Sequence, residues 1–373
     1  KDTLGEELKN RLRLLSKGDF IGVTGTVRRT KAGELSVKVK SYEILCKSLL
    51  PLPLSWTGLT DVEARYRRRY VDFIINPDSR ETLKKRSIAI REMRRFLDDR
   101  GFYEVETPIL QVEAGGADAR PFVTHHNALD MDLYMRIATE LHLKRLIVGG
   151  FEKVYEIGRT FRNEGISTRH NPEFTMMELY QAYGDYNELM DFAEEMVRHV
   201  AGIVCGGTKI VYQGVEIDLG TPWRRVSMYD VVKEVTGIDV EKIADFAEAK
   251  AIAEKLGIKL QHESSIGEVA NSIFEEKCES SLMQPTFLID YPVEISPLTK
   301  VHRTKPGLVE RFEIFVYGRE LGNGYSELTD PLDQRARLED QVRKREAGND
   351  EAQPLDLDFI EAIEYGMPPT MGI

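Results

Sequence analysis

The chain has 373 residues, enough for two or three domains and a large core. Its 42% hydrophobic and 30% charged residues describe a globular protein, and no apolar run approaches the roughly 20 residues of a membrane span. Net charge is −11, which at first argues against a nucleic-acid partner. The distribution says otherwise: residues 1–100 hold 9 Lys and 14 Arg against 14 Asp plus Glu, a net +9, so the remainder carries −20. This asymmetry points to a basic N-terminal region that meets a polyanion, with a solvated basic face as the plainer alternative. Cys46, Cys205 and Cys278 are scattered and odd in number. They fit a reducing cytosol and match neither a disulfide framework nor a zinc site. The polar start KDTLGEE carries no secretory signal, so the expected location is cytoplasmic.

In chain order, Leu4, Leu8, Leu12 and Leu15 predict a short amphipathic helix over 1–17. Two strand-like runs follow, 20–28 and 34–42, separated by a turn at Lys31, Ala32 and Gly33. In the second run Leu35, Val37 and Val39 alternate with Ser36, Lys38 and Lys40, one apolar face and one cationic face. Pro51, Pro53 and Trp56 lie in an extended linker. The run RYRRRY at 65–70 concentrates charge before a helix start at Asp78-Ser79. Leu83, Ile90, Met93 and Leu97 mark that helix's apolar stripe, which ends near Arg100-Gly101. Then GFYEVETPIL at 101–110 reads as a strand in which Pro108 demands an edge or interface position.

The run FRNEGISTRHNPEFTMMELY at 161–180 is read as strand, loop, strand. Side chains two apart share a strand face, so Phe174, Met176, Glu178 and Tyr180 line up together. A cationic loop above an aromatic and acidic strand suits a nucleotide: cations for phosphates, a ring for a base, a carboxylate for an amine. On residue types alone, a surface hairpin with a buried polar pair fits equally well. Beyond it, 186–278 is mainly helical with a β interlude near 209–219, and 247–256 reads as a surface helix. The runs 287–291 and 311–317 are strands, with a tight turn at Gly318. Glu313 and Glu320 flank that turn and face each other across a hairpin. Two such carboxylates repel unless a cation lies between them; two solvated acids are the alternative. The acidic stretch at Gly348, Asn349 and Asp350 is predicted to be a mobile loop.

FRxE followed by RHNPEFTMMELY resembles motif 2 of the class II aminoacyl-tRNA synthetases, in detail that of the lysyl-tRNA synthetases. The likeness runs from Gly18-Asp19-Phe20-Ile21 to Met367-Pro368-Pro369-Thr370. The fold it implies is α+β: a class II catalytic domain, an antiparallel sheet flanked by helices, preceded by a partial OB-fold β-barrel. The implied division is an anticodon-binding OB-fold segment at 1–53, a linker at 54–66, and a catalytic domain at 67–373 with a mainly helical insertion at about 206–280. OB-folds bind single-stranded nucleic acid with a basic groove and stacking aromatics. The family's first barrel strands have no counterpart before Phe20. GFYEVETPIL resembles motif 1, which implies a homodimer through the region around Pro108.

The implied reaction has two steps: lysine attacks the α-phosphorus of ATP, and the 3′ end of tRNA-Lys then takes the lysyl group. The first step needs no protein base, because the carboxylate is already ionised at pH 7. Positioning and charge neutralisation carry it. By resemblance, Arg162 is the catalytic cation on the α-phosphate and carboxylate, since a rigid fork of donors suits oxyanions. Arg169 and His170 grip the γ-phosphate, Phe174 stacks on adenine, and Glu164, Asn171 and Glu313 complete the ATP contacts. Glu313 and Glu320 hold Mg²⁺. For lysine, Glu140 and Glu327 read the ε-ammonium and Tyr180 adds a hydroxyl. Glu178 and Asn323 hold the α-amino and carboxylate ends, and Gly116 allows close backbone approach. Two carboxylates reject a neutral side chain, because an uncompensated buried charge costs roughly 3–5 kcal/mol. Aspartyl and asparaginyl enzymes need cationic or amide readers where this chain has Glu140 and Glu327. A short paralogue that lysylates elongation factor P resembles the catalytic domain alone, and the basic N-terminal arm speaks against it. The third motif of the family carries an arginine opposite Phe174. GMPPTMGI at 366–373 matches only the approach to that motif, so the expectation is a longer protein with residues beyond both ends.

Overall fold

The computed structural model describes residues 10, 12–52, 59–167, 170–220 and 222–373. Leu4 and Leu8 of the predicted first helix, Pro53 and Trp56 of the predicted linker, and Arg169 of the predicted loop lie outside them. The chain divides into two compact units, Lys1–Ser87 and Ile88–Ile373.

In the first unit, β1 (Phe20–Arg29) and β2 (Leu35–Cys46) form an antiparallel hairpin, with Arg29 opposite Leu35 and Phe20 opposite Cys46. The strands come so close at Gly25 that an added Cβ would lie 2.2 Å from the Lys38 carbonyl oxygen. The alternating apolar residues do form one face, but Val27, Leu35 and Val37 on it are exposed. Two helices not foreseen from the sequence, Val62–Arg67 and Arg69–Ile75, take up the charged run. Its composition conceals their cause, which is a single buried acid. Asp72 accepts from Arg65 at 2.8 Å, Arg69 at 2.9 Å and Asn76 at 2.7 Å. Much of the run's charge is therefore spent inside the unit.

The second unit is built on an eight-stranded sheet in the order β11-β12-β13-β14-β15-β8-β7-β3. Its strands are β3 (Tyr103–Glu104), β7 (Lys153–Phe161), β8 (Glu173–Ala182), β11 (Arg224–Ser227), β12 (Thr286–Pro292), β13 (Leu308–Phe315), β14 (Glu320–Ser326) and β15 (Thr370–Gly372). The centre is antiparallel as expected, while a parallel pair closes each edge, β11 with β12 and β3 with β7. The predicted strand through 101–110 is broken: β3 ends at Glu104, and β4 (Leu110–Gln111) joins β5 (Val123–His126) and β6 (Met131–Met135) in a separate sheet. Pro108 lies between them, outside any strand; it has no N–H to give and restricts Thr107 before it.

Alternation along β7 and β8 sorts the two faces. Tyr155 and Leu179 pack with Phe287 and Phe312 against the helix Tyr186–Cys205. That helix starts at Asp185, whose carboxylate accepts from the Asn187 N–H at 2.9 Å, and ends at Gly206 with φ +77°. The neighbours Val154 and Tyr180 point the other way, into a core with Leu141, Leu143 and Ile147 of the helix Glu140–Val148 and Phe359, Ile360 and Ile363 of the helix Leu357–Glu364. Glu178 and Tyr180 share this second face.

The insertion holds a hairpin of β9 (Lys209–Tyr212) and β10 (Val215–Asp218), where a β interlude was expected, and helices Met228–Thr236, Phe246–Lys255 and Ile266–Ile273. Its core, around Val231, Ile273 and Phe274, also takes in Leu288, Tyr291, Val309 and Phe315, so the insertion is fused to β12 and β13. The loop at 348–350, predicted to be mobile, is tied by the Asp350 carboxylate to Arg120 at 2.9 Å. Among the described residues, no helix is long and apolar enough to cross a membrane. Cys46 and Cys205 are exposed and Cys278 is buried, all as free thiols.

Candidate active site

β7 and β8 pair in register from Lys153 opposite Gln181 to Phe161 opposite Glu173. Arg162 leaves the end of β7, its backbone N–H donating to the Pro172 carbonyl at 2.9 Å. Its guanidinium lies 5.4 Å from the Phe174 ring centroid. The sequence expectation set a cationic loop, Arg169 and His170, above the aromatic strand; here Arg162, at the end of β7, is the cation over Phe174. Asn163 is anchored by its N–H to the Arg120 carbonyl at 2.7 Å. The loop beyond closes on itself where His170 N–H donates to Ser167 Oγ at 3.1 Å. Glu164, His170 and Asn171 are exposed on it, and Arg169 falls outside the described residues.

Beneath the hairpin, a buried ion pair joins Arg136 to Glu156 at 2.5 Å, and Thr107 Oγ1 donates to the same carboxylate at 2.7 Å. Gly158 makes room for it: an added Cβ would sit 2.3 Å from the Arg136 guanidinium.

The three acids and the hydroxyl predicted for an amino-acid pocket gather on the second face. Glu178 Oε1 accepts from the Thr139 N–H at 2.9 Å, and the Tyr180 hydroxyl donates to Glu178 Oε2 at 3.3 Å. Burial first, then the charge of Glu140, pushes Glu178 up to about 7. Glu140 opens the helix Glu140–Val148, and its Oε1 accepts from the Tyr325 hydroxyl at 2.6 Å. Glu327 follows β14, its side chain fully buried, and its N–H donates to the Thr370 carbonyl at 2.8 Å. Burial raises its pKa well above the usual carboxylate range. Its Oε1 has no hydrogen-bond partner among the described residues. A buried acceptor left open costs roughly 1–3 kcal/mol, so this atom fits a donor that arrives with a ligand. β15 presses against it: an added Cβ on Gly372 would be 2.4 Å from both Glu327 Oε1 and Tyr180. Gly116 has φ +91°, and an added Cβ there would be 3.2 Å from the Glu140 Cβ. Its N–H donates to Gln353 at 3.3 Å. Asn323 accepts from Arg311 Nε at 3.1 Å.

Sequence reasoning missed the residues that hold these acids. Lys144 lies one turn after Glu140, wholly buried, 2.5 Å from Glu140 Oε1 and ion-paired with Glu327. Burial works against its ammonium, but Glu140 and Glu327 outweigh that and raise its pKa. The acids are therefore not uncompensated, as the sequence argument assumed: Glu140 and Glu327 share one resident cation. The four-residue spacing of Glu140 and Lys144 was the available signal. Arg311, Tyr325 and Gln353 carried none.

Glu313 and Glu320 stand on β13 and β14, either side of the turn at Gly318 with φ +58°. Arg311 Nη2 donates to Glu313 at 2.7 Å. The charge of Glu313, and after it burial, pushes Glu320 up to about 7. Two mutually repelling acids fit a divalent cation. Among the described residues no three His, Cys, Asp or Glu side chains cluster as a metal site, so an ion here would draw further ligands from a phosphate or water.

Comparison with known proteins adds the following. Residues 61–373 match the family model for class II tRNA synthetases (D, K and N). A Lysine--tRNA ligase of Gloeobacter violaceus is 59% identical over 361 residues, covering 97% of this chain and 73% of that protein. One from Nostoc punctiforme is 61% identical over 362 residues, 97% of this chain and 64% of that protein. One from Thermosynechococcus vestitus is 59% identical over 373 residues, 100% of this chain and 74% of that protein.

Proposed function

The chain belongs to the class II tRNA synthetases (D, K and N), and from that premise we propose that it is a lysine–tRNA ligase. It activates L-lysine with ATP and passes the lysyl group to the 3′ end of tRNA-Lys. The observation that carries this reading is the charge of the pocket. Glu140 and Glu327 pair with Lys144, and Glu178 lies close enough to both acids to feel their charge, a formal −2 for the group. Free lysine brings an α-ammonium and an ε-ammonium, and its carboxylate meets Arg162. A neutral side chain leaves one of those negative charges buried and unmatched, at a cost of roughly 3–5 kcal/mol.

The residues divide the work. Glu178 and Asn323 hold the α-amino and carboxylate ends, with Gly116 letting the backbone come close. Glu140, Glu327 and Tyr180 receive the ε-ammonium. Phe174 stacks on adenine below Arg162, which draws the lysine carboxylate and the α-phosphate together and neutralises both; this is its catalytic role. Glu164, Asn171, Arg169 and His170 line the nucleotide and its phosphates. When bound at Glu313 and Glu320, Mg²⁺ supplies positive charge to the ATP phosphates. Attack on the α-phosphorus then needs orientation more than proton transfer.

The segment 1–53 serves as a partial OB-fold for tRNA, 54–66 as linker, and 67–373 as the catalytic domain; a homodimer through the region around Pro108 and a cytoplasmic location complete the proposal. Lysine-dependent exchange of pyrophosphate into ATP, followed by charging of tRNA-Lys, tests it. Exchange driven by aspartate or asparagine and not by lysine would overturn it.

A further inference from the structure

Lys144 is the one charged group of the acid cluster that the proposed function leaves without a substrate contact. Its side chain has no solvent exposure, and its Nζ is 2.5 Å from Glu140 Oε1 and paired with Glu327. The ring of Tyr325 lies 5.5 Å away and that of Phe359 5.9 Å away. Filling this space needs no charge; a methionine would do it, and burying an ammonium costs several kcal/mol before its partners repay it. The charge must therefore act on the acids. Without it, three carboxylates would share one dry cluster, and like charges so placed cannot all stay ionised.

Resting on the lysine–tRNA ligase reading, we propose that Lys144 is a positioning residue that determines specificity: its ammonium clamps Glu140 and Glu327 together and leaves one formal negative charge at the pocket's end for a single substrate ammonium. Two acids alone would present −2 to the side chain and invite a proton or a stray cation in place of a selective match. The resident ammonium also repels a second one, so it sets how deep a cationic side chain can sit.

The other charged groups around Lys144 are accounted for. On its own helix, Arg145 is paired with Asp356 at 2.9 Å, and burial lowers the pKa of His142. β8 contributes Glu178 and Tyr180, and β14 contributes Tyr325, whose hydroxyl donates to Glu140 at 2.6 Å. Burial and the nearby acids raise both tyrosines well above their usual range, so neither ionises near neutrality.

The test is the lysine dependence of ATP–pyrophosphate exchange between about pH 6 and 8.5, read as separate KM and kcat profiles for the parent, Lys144→Met and Lys144→Arg. In the parent, KM for lysine rises below an inflection near the Glu178 value of about 7. Lys144→Met should raise KM at pH 7 by at least about tenfold, move the inflection at least about one unit alkaline, and change kcat by less than about threefold. Lys144→Arg keeps the charge and should leave the inflection in place. An active parent with an unmoved inflection in Lys144→Met overturns this inference alone; a parent without lysine-dependent exchange overturns the reading beneath it. If Lys144→Met does not fold, Lys144→Met/Glu327→Gln removes the acid together with its partner. The charge account requires its inflection to stay within about half a unit of the parent's, with KM raised evenly, and a shift of a unit or more refutes it.

Discussion

Replacing Glu327 by Gln removes a buried charge and keeps the side chain's shape. In the parent, Oε1 is an open acceptor and Oε2 faces Lys144, so on the proposed reading the carboxylate meets the resident ammonium on one side and the incoming ε-ammonium on the other. Hydrogen bonds to charged groups contribute about 1.5–3 kcal/mol each, and about 1.4 kcal/mol is a factor of ten in affinity. Glu327→Gln should therefore raise KM for lysine about ten- to a hundredfold. The amide can turn its oxygen toward Lys144, which limits damage to the fold and keeps most of the loss on the substrate side. Glu140→Gln weakens two internal bonds as well, from Lys144 at 2.5 Å and Tyr325 at 2.6 Å, so it should add a fall in thermal stability to the same rise in KM. Steady-state exchange at saturating ATP measures KM; thermal unfolding separates the second effect. If both Gln variants bound lysine as the parent does, this assignment of the pocket would be wrong.

Protonation of Glu178 supplies a second expectation. Its folded-state pKa is raised to about 7, so its carboxylate is lost to the α-ammonium as pH falls through that value, and KM for lysine should climb about tenfold per unit below it while remaining flat just above; a flat profile down to pH 6 would count against its contact with the amine. The basic N-terminal unit should make tRNA charging fall more steeply with salt than exchange does, since phosphate contacts release counterions. Neutralising Lys38 and Lys40 on β2 should shallow that slope and leave exchange intact, and equal slopes for the two activities in the parent would refute it. Gly158→Ala places a methyl 2.3 Å from the Arg136 guanidinium and must displace it from Glu156, which should destabilise the fold by about 3 kcal/mol. An unchanged melting temperature would show that Arg136 has room the geometry does not reveal.

Much of the site was legible because its signals are local. The alternation at 173–183 located β8 almost to the residue, and placed Glu178 and Tyr180 on one face without any knowledge of what covers them. The turn at Gly318 was legible from its glycine, but the register was not: Glu313 lies opposite Asn323 and Glu320 opposite Phe315, so the two acids expected to face each other are offset. Elements decided by distant partners were not. The four-residue strand Arg224–Ser227 exists because β12 offers it a parallel edge, and a run of RRVS has too few positions to announce that. The helices Val62–Arg67 and Arg69–Ile75 were hidden in a charge run because one acid, Asp72, gathers cations that would otherwise read as a solvated or polyanion-binding face. That changes the weight of the sequence's charge argument: Arg65 and Arg69 of the charged run are committed to Asp72, so the cationic face of β2 is a better guide to a tRNA contact than that run.

The same lesson, applied to the acid pocket, alters the account of specificity. From the sequence, Glu140 and Glu327 read as two carboxylates that reject a neutral side chain, and charge alone does not separate lysine from ornithine. The structure places Lys144 between them. One negative charge then remains at the end of the pocket, at a depth set by a buried ammonium that cannot retreat: its helix is packed through Leu141, Leu143 and Ile147 against Phe359 and Ile363. On the proposed reading, a shorter cationic side chain falls short of the open oxygen of Glu327, and a longer one meets like charge at close range. Charge selects for a single ammonium, and the fixed position of Lys144 converts that into selection for length. Ornithine, one methylene shorter than lysine, should therefore lose at least about tenfold in kcat/KM against lysine in the parent, more than the roughly 0.8 kcal/mol that a methylene's burial alone would give. In Lys144→Met the gap should narrow toward that apolar limit; a gap that stays the same would leave the length selection to the walls of the pocket rather than to its charge.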